Sequence, residues 1–405
     1  MRFHQEEDKS IWQYIVPTEC NDYDIPLHDY RHWKEDDVHA KLTDITKIPF
    51  NMFDTQLNRI IMIQLSDGYN GLYMNVQHMT MDSSSLFVFL QDIIEIYCAK
   101  MYPDQVKFPN AMKSYIECLK KDLQYPNSKA YEKDFKYWQN VLYNESEPMY
   151  TDFAGEGRLI RARLDSGNPN KRSAGVVSTD VSAQISVYKL EEEPSKQIIS
   201  FCKEHNVPIV CMLIMGLRTV LSILNNNEKD VSIKTTVARR GTLLEKKSGG
   251  TRIHYFPFRT IIEPEETFHD GIEKIRIAQN EIFRHANYDP VKLTMERIKA
   301  SKLERGESYE SISLTYQPLS VENEGGVELP AKYKSKWYSN GVAAQPVYLT
   351  VMHRPKDNGL DFYFEYQPKV VTKEELDVLY YYICRTIFRG MENFDKPLKN
   401  ILELV

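Results

Sequence analysis

Strand-like alternation and helix-like periodicity recur together in both halves of the chain, and that mixture constrains the fold more than any single motif. In the first half, 59–65 (RIIMIQL) and 72–76 (LYMNV) read as strands. The turn-forming run Ser66-Asp67-Gly68-Tyr69-Asn70-Gly71 between them predicts a hairpin. Ser83, Ser84 and Ser85 then offer N-caps to a helix running to about Lys100, whose apolar positions 86, 89, 90, 93, 94 and 97 share one face. Helical patterning continues over 109–143 and ends in YWQNVL. In the second half, helices are predicted near 194–205, 208–225, 266–284 and 373–389, with strands at 230–238, 253–262, 311–317, 347–353 and 360–366. This is the pattern of an α/β or α+β protein. A chain of 405 residues exceeds what one ordinary core holds, so two lobes of similar size are expected. The stretch from Gly155 to Ser182 is rich in Gly, Asn, Ser and Arg and is the best candidate for a connection. The expected division is an N-terminal lobe at 1–165, a connection at 166–186 and a C-terminal lobe at 187–405.

Composition narrows the function classes. A net charge of −6 argues against a nucleic-acid partner, which usually selects a basic excess. No run approaches 18 apolar residues, and the start MRFHQEED has no leader-like apolar stretch, so neither a membrane span nor a secretory leader is expected. The six cysteines (20, 98, 118, 202, 211 and 384) are scattered, contain no C-x-x-C and sit mostly in apolar runs. They read as reduced core thiols of a cytoplasmic protein, with no metal site. The chain also lacks G-x-S-x-G, a Walker-type loop and H-E-x-x-H, and GEGRLI at 155–160 lacks the third glycine of a dinucleotide loop.

What remains is His78-Met79-Thr80-Met81-Asp82, an H-x-x-x-D. Spacing alone does not select it, because 4–8, 32–36, 285–289 and 353–357 show the same pattern. Context does. Only 78–82 ends an alternating strand and directly precedes a capped helix, a place from which a loop can aim an imidazole into a cleft. A histidine there can accept a proton from an attacking amine or hydroxyl, and a carboxylate four residues on can hold the loop if it finds a cation. The plainer reading of an isolated H-x-x-x-D is a satisfied histidine at a strand end.

The stretch VQHMTMDSSSLFVFLQDI resembles the core motif of the condensation domains of non-ribosomal peptide synthetases, H-H-x-x-x-D-G. Further landmarks follow in the family's order. They are Pro49-Phe50 before Arg59, Tyr137-Trp138 with Leu142, and Arg240 ten residues before Gly250. GTRIHYFPFR at 250–259 is similar to G-x-F-V-N-T-L-P-L-R, and His285, Tyr288, Pro290 and Leu293 match the downstream H-x-x-Y-x-P-F-x-x-L. The resemblance implies two chloramphenicol acetyltransferase-like lobes in a V, with a tunnel between them. It implies a donor thioester on phosphopantetheine, from an acyl or peptidyl carrier protein or from coenzyme A, with no tightly bound cofactor. The implied acceptor is a small amine or alcohol. By motif position His78 would be the base or positioning group, and Asp82 would pair with Arg259 across the lobes in a structural role. Other readings implied by the same kinship are a coenzyme A-dependent O- or N-acyltransferase and a non-catalytic carrier-binding member.

The chain departs from the pattern at several points. Gln77 replaces the first histidine, and Ser83 replaces the glycine that permits unusual backbone angles and close approach of the pantetheine arm. His254 stands where the family has asparagine. With Ser85, these residues are expected to line the tunnel. Ser85 also fits the cyclising relatives' D-x-x-x-x-D-x-x-S, but glutamine at the first position disfavours cyclisation. Met1-Arg2-Phe3 lines up with the end of R-H-E-x-L-R-T-R-F, so the family's opening strand and helix are expected to lack a counterpart.

Overall fold

The computed structural model of the chain describes residues 1–17, 24–107, 113–176, 178–318, 336–354 and 357–402. Cys20 lies outside them. They form two compact units. Unit 1 holds Met1–Cys118, Arg240–Arg252 and, from Val321–Gly341, the described residues 336–341. Unit 2 holds the described residues of Leu119–Arg239, Ile253–Ser320 and Val342–Val405.

Unit 1 is built on a three-stranded sheet. Asn58–Leu65 lies between Leu27–Tyr30, which runs parallel to it, and Asn70–Val76, which completes the expected hairpin antiparallel. The helix Glu35–Lys47 sets Val38 and Leu42, one turn apart, against Tyr30, Ile61, Ile63 and Tyr73 of the sheet. A short hairpin pairs Arg2–Gln5 with Ile11–Tyr14. The helix Ser83–Met101 follows the third strand directly and fixes the loop at 77–82.

Unit 2 is built on a six-stranded mixed sheet. Its order is Gln184–Lys189, Leu360–Tyr366, Val347–His353, Ile312–Gln317, Asp230–Val237 and His254–Ile261. Ile312–Gln317 is parallel to both neighbours and the remaining pairs are antiparallel. Strand alternation sends Val231, Ile233, Phe256, Phe258, Leu314, Leu349, Phe362 and Phe364 into one core. That core also receives the helices Ile209–Leu224, Phe268–Arg284 and Lys373–Glu392. Cys202 and Cys211 are buried here, and burial pushes both thiols up to about 12, so they are inert packing groups.

The division does not fall at 166–186. It falls between Cys118 and Leu119, because the helix Lys129–Tyr143 buries Trp138 in the unit 2 core, stacked on Phe256 with ring centres 5.1 Å apart. Trp138 also donates from its indole to the His285 carbonyl at 3.2 Å. Nor is the Gly- and Arg-rich stretch an open linker. Gly157–Ser166 is a helix, closed by Gly167 in the left-handed conformation at φ 64. Most unexpectedly from the sequence, Arg240–Arg252 returns from the second half to become part of unit 1.

Candidate active site

The strand Asn70–Val76 ends at a short turn. Gln77 donates its backbone N–H to Leu57 at 2.9 Å, and its carbonyl accepts from Thr80 N at 2.9 Å and Thr80 Oγ1 at 2.7 Å. The Gln77 side-chain oxygen takes the Met79 N–H at 2.6 Å, so the residue that replaces the family's first histidine braces the turn. His78 sits exposed within it. Among the described residues no group hydrogen-bonds its imidazole, while Thr251 Oγ1 donates to its backbone carbonyl at 2.6 Å. Three of the other four H-x-x-x-D histidines have committed rings: His4 to Asp54, His285 to Asp134, and His353 to Tyr316 and Asn358.

Asp82 is buried and fully engaged. Its Oδ1 accepts from Ser85 N at 2.8 Å and from Arg240 Nη2 at 2.9 Å, and its Oδ2 accepts from Arg252 N at 2.8 Å. Asp82, rather than one of the three serines, is therefore the N-cap of Ser83–Met101. The buried Ser85 hydroxyl returns to the Asp82 carbonyl at 2.9 Å. Ser83 opens the helix without a left-handed φ, so the backbone there has no need of the family's glycine.

Arg240 gathers this corner. Its Nη1 donates to the carbonyls of Glu245 at 2.5 Å and Ser248 at 2.8 Å, and its Nη2 donates to Gly250 O at 3.0 Å as well as to Asp82. The ten-residue spacing to Gly250 thus has a physical meaning: the segment curls around its own guanidinium. Gly250 has φ +85, and a side chain there would collide with the Tyr115 ring. A capping box at Thr242 starts the short helix Leu243–Lys246. Burial raises the Glu245 pKa, but hydrogen bonds from Thr242 and the charge of Arg252 outweigh it and leave the carboxyl below its usual range.

Arg259, the partner expected for Asp82, is held by other groups within unit 2. Arg259 grips Asp230 bidentately, Nε to Oδ1 and Nη2 to Oδ2 both at 2.7 Å, and donates to Ser146 O at 2.6 Å. Asp230 also holds Arg172 at 2.7 Å. The strand places Arg259 beside Ser232, within unit 2, and its fork closes on Asp230, a buried carboxylate on the paired strand. Sequence reasoning recognised Arg240 as a landmark and missed its partner. Two charges 158 residues apart carry no local sign of their pairing.

His254 is held at both ring nitrogens, with Nδ1 donating to Ala286 O at 2.9 Å and Nε2 accepting from Arg239 Nη1 at 2.8 Å. Burial first, and the Arg239 charge second, depress its pKa to about 4. It is a neutral packing histidine. The downstream landmarks are likewise structural: His285, stacked on Tyr137, bonds Asp134 at 2.8 Å, and Asp134 accepts from Tyr125 at 2.6 Å.

The mixed α/β architecture is a chloramphenicol acetyltransferase-like fold. It is shared with the first condensation domain of the calcium-dependent antibiotic synthetase in complex with a substrate analogue, at a TM-score of 0.76 and 17% identity over 98% of this chain and 85% of that one. It is shared also with VibH, an NRPS condensation enzyme, at a TM-score of 0.70 and 13% identity over 98% and 88%. The family profile described as Condensation domain matches residues 1–404, and the chain belongs to that family. A plipastatin synthase subunit of Bacillus subtilis (strain 168) is 23% identical over 381 residues, which is 93% of this chain and 14% of that protein. Surfactin synthase subunit 1 of the same organism is 22% identical over 348 residues, 86% of this chain and 9% of that protein. The chain therefore spans a small part of the length of these relatives. Condensation domains are amide-forming acyltransferases of non-ribosomal peptide synthesis. Among the described residues no single helix is long and apolar enough to cross a membrane.

Proposed function

We propose that this chain transfers an acyl or aminoacyl group from a phosphopantetheine thioester to an amine, with His78 as base or positioning group. The observation that carries the reading is the uncommitted imidazole of His78 on a turn fixed from both sides, by Gln77 before it and by the Asp82–Arg240 pair after it. The amine nitrogen attacks the thioester carbonyl carbon, the nitrogen's proton passes to His78, and the carbon–sulfur bond breaks as that proton is handed on to the leaving sulfur, releasing the pantetheine thiol and returning His78 to its neutral form. Holding donor and acceptor together supplies much of the rate. Asp82 spends its lone pairs on three donors, which suits a role in holding the loop rather than in moving a proton.

The donor would arrive on an acyl or peptidyl carrier protein, or as a coenzyme A thioester. A related starter condensation domain, of rhizomide synthetase RzmA (a mutant), is known in complex with C8-CoA. Gln77, Ser83, Ser85 and His254 are the tunnel-lining positions by motif. Of these His254 is the least suited to contact substrate, both ring nitrogens being occupied.

The test is a product screen. The intact chain is incubated with acyl-coenzyme A, acyl-pantetheine and acyl-carrier thioesters plus mixed amines, and amides are read by mass spectrometry alongside released thiol. Amide formed only with acyl-carrier donors supports carrier-dependent condensation, and amide from acyl-coenzyme A supports the free-thioester donor. No product from any donor contradicts the catalytic reading and leaves a carrier-binding member of the family.

A further inference from the structure

The backbone from Gln77 to Thr80 is a β-turn, closed by the Thr80 N–H on Gln77 O at 2.9 Å, with His78 and Met79 as its central residues. The peptide plane between those two is the one that rotates when a β-turn changes type. Here side chains grip both of its polar groups. Gln77 Oε1 accepts from Met79 N at 2.6 Å, and Thr251 Oγ1 donates to His78 O at 2.6 Å. With its N–H and its carbonyl both held, the plane that leaves His78 is fixed.

The two grips differ in origin. Gln77 belongs to the turn itself, whereas Thr251 arrives on Arg240–Arg252, 173 residues further along the chain and within the same unit. Thr251 is a rigid donor because its neighbours are held. Arg252 donates its N–H to the buried Asp82 at 2.8 Å. Gly250 turns the chain at φ +85 against the Tyr115 ring, and its carbonyl accepts from Arg240 at 3.0 Å. Two consecutive residues, 251 and 252, therefore hold the first and last residues of the H-x-x-x-D. Threonine is also stiff at χ1, which aims its hydroxyl. The Thr251 bond lies where water reaches it, so water can take its place and it adds little to stability. What it supplies is geometry.

We infer that Thr251 is a positioning residue for acyl transfer, its hydroxyl holding the main chain of His78 so that the imidazole keeps one place. This rests on the reading of His78 as base or positioning group. A group that takes a proton must stand within hydrogen-bond reach of it, and a misplacement of about 1 Å can cost on the order of 10² in rate. Thr251 moves no substrate proton itself, because its hydroxyl hydrogen is committed to His78 O. Position 251 falls on an unspecified residue of the pattern G-x-F-V-N-T-L-P-L-R, so the motif gives no sign of this role.

The experiment compares Thr251→Val, which keeps the shape and removes the donor, with Thr251→Ser, which keeps the donor. Both are assayed in steady-state amide formation by the intact chain, with a donor–acceptor pair from the product screen. Thr251→Val is expected to lower kcat about three- to tenfold, the range for one neutral hydrogen bond, with KM and the melting curve unchanged. Thr251→Ser is expected to stay within about twofold of wild type. In a His78→Ala background Thr251→Val should cost nothing further, because the group it places is gone. A second readout needs no substrate. In NMR spectra of isotope-labelled histidine, the His78 ring signal, assigned by its loss in His78→Ala, should shift or broaden in Thr251→Val and not in Thr251→Ser. Wild-type kcat in Thr251→Val, where His78→Ala has lost its rate, overturns the positioning role. An equal loss in Thr251→Ser, or the same loss in the His78→Ala background, overturns it too. Failure of the His78 reading looks different: His78→Ala keeps the wild-type rate, and the positioning role falls with it although the ring signal still reports the Thr251 bond.

Discussion

At the residue scale the decisive group is Asp82, whose two oxygens satisfy the helix N-terminus, the Arg252 backbone and the Arg240 guanidinium together. Removing it strands a buried cation and two N–H groups. Asp82→Ala is expected to cost about 3–5 kcal/mol in unit 1, the range for breaking a buried ion pair. Hydrogen exchange would show this as lost protection at the start of Ser83–Met101 and in 240–252. Arg240→Ala should have the same pattern and, in the double variant, add little further. Arg259→Ala should loosen the neighbourhood of Asp230 while leaving exchange at 78–86 unchanged; altered exchange there would restore the pairing expected from the motif. His254 supplies a pH test. Its folded pKa is near 4 against an ordinary 6.5, so as pH falls the unfolded chain takes up the proton first. The corresponding stability is complete above about pH 6.5 and is lost as pH falls through 4, at about 1.4 kcal/mol per unit of depression. His254→Asn, the family's residue, should flatten the melting temperature between pH 6.5 and 4. An unchanged profile would show that other groups carry the acid sensitivity.

At the scale of elements, legibility followed burial. The strands Val347–His353 and Leu360–Tyr366 were readable to the residue, because alternation fixes which side chains enter the core. Arg2–Gln5, Ile11–Tyr14 and Leu27–Tyr30 were not, being four residues each and burying only Phe3 and Tyr30 among them. Glu35–Lys47 buries only Val38 and Leu42, and Pro290–Ala300 leaves Val291, Met295 and Ile298 exposed, so neither displays a continuous apolar stripe. Gly157–Ser166 was hidden by a composition that resembles a loop. In the site, the strand, the turn and the helix after it were legible, since all three are local. The capping role of Asp82 and the arrival of Arg240 were not. The helix Ile209–Leu224 is apolar almost throughout, yet it buries Arg218, which among the described residues bonds only Lys229 O at 2.9 Å while its Nε and Nη1 lack partners there. Burial lowers that guanidinium to about 10. Asp230 keeps two other arginines, so Arg218→Met should leave the melting temperature equal or higher. A drop equivalent to about 2 kcal/mol or more would mean that Arg218 anchors something its geometry does not reveal.

At the scale of the whole molecule, the chain passes between units more than once, and the site loop in unit 1 is closed by a segment whose flanking strands belong to unit 2. Residues 78–82 and 240–252 must therefore both be placed before the turn is fixed, which makes the site a product of the complete fold rather than of its first half. The fold class and the family were readable from motif order. The discontinuous units were not, because no local pattern announces that Arg240–Arg252 leaves the sheet that precedes and follows it. One measurement bears most directly on the acyl-transfer reading: the single-turnover rate of amide formation by the intact chain and by His78→Ala, using a donor–acceptor pair found in the product screen. The predicted result is a loss on the order of 10²–10⁴ in rate with an unchanged melting curve, because the imidazole makes no structural hydrogen bond among the described residues. Equal rates in the two proteins would contradict a catalytic role for His78.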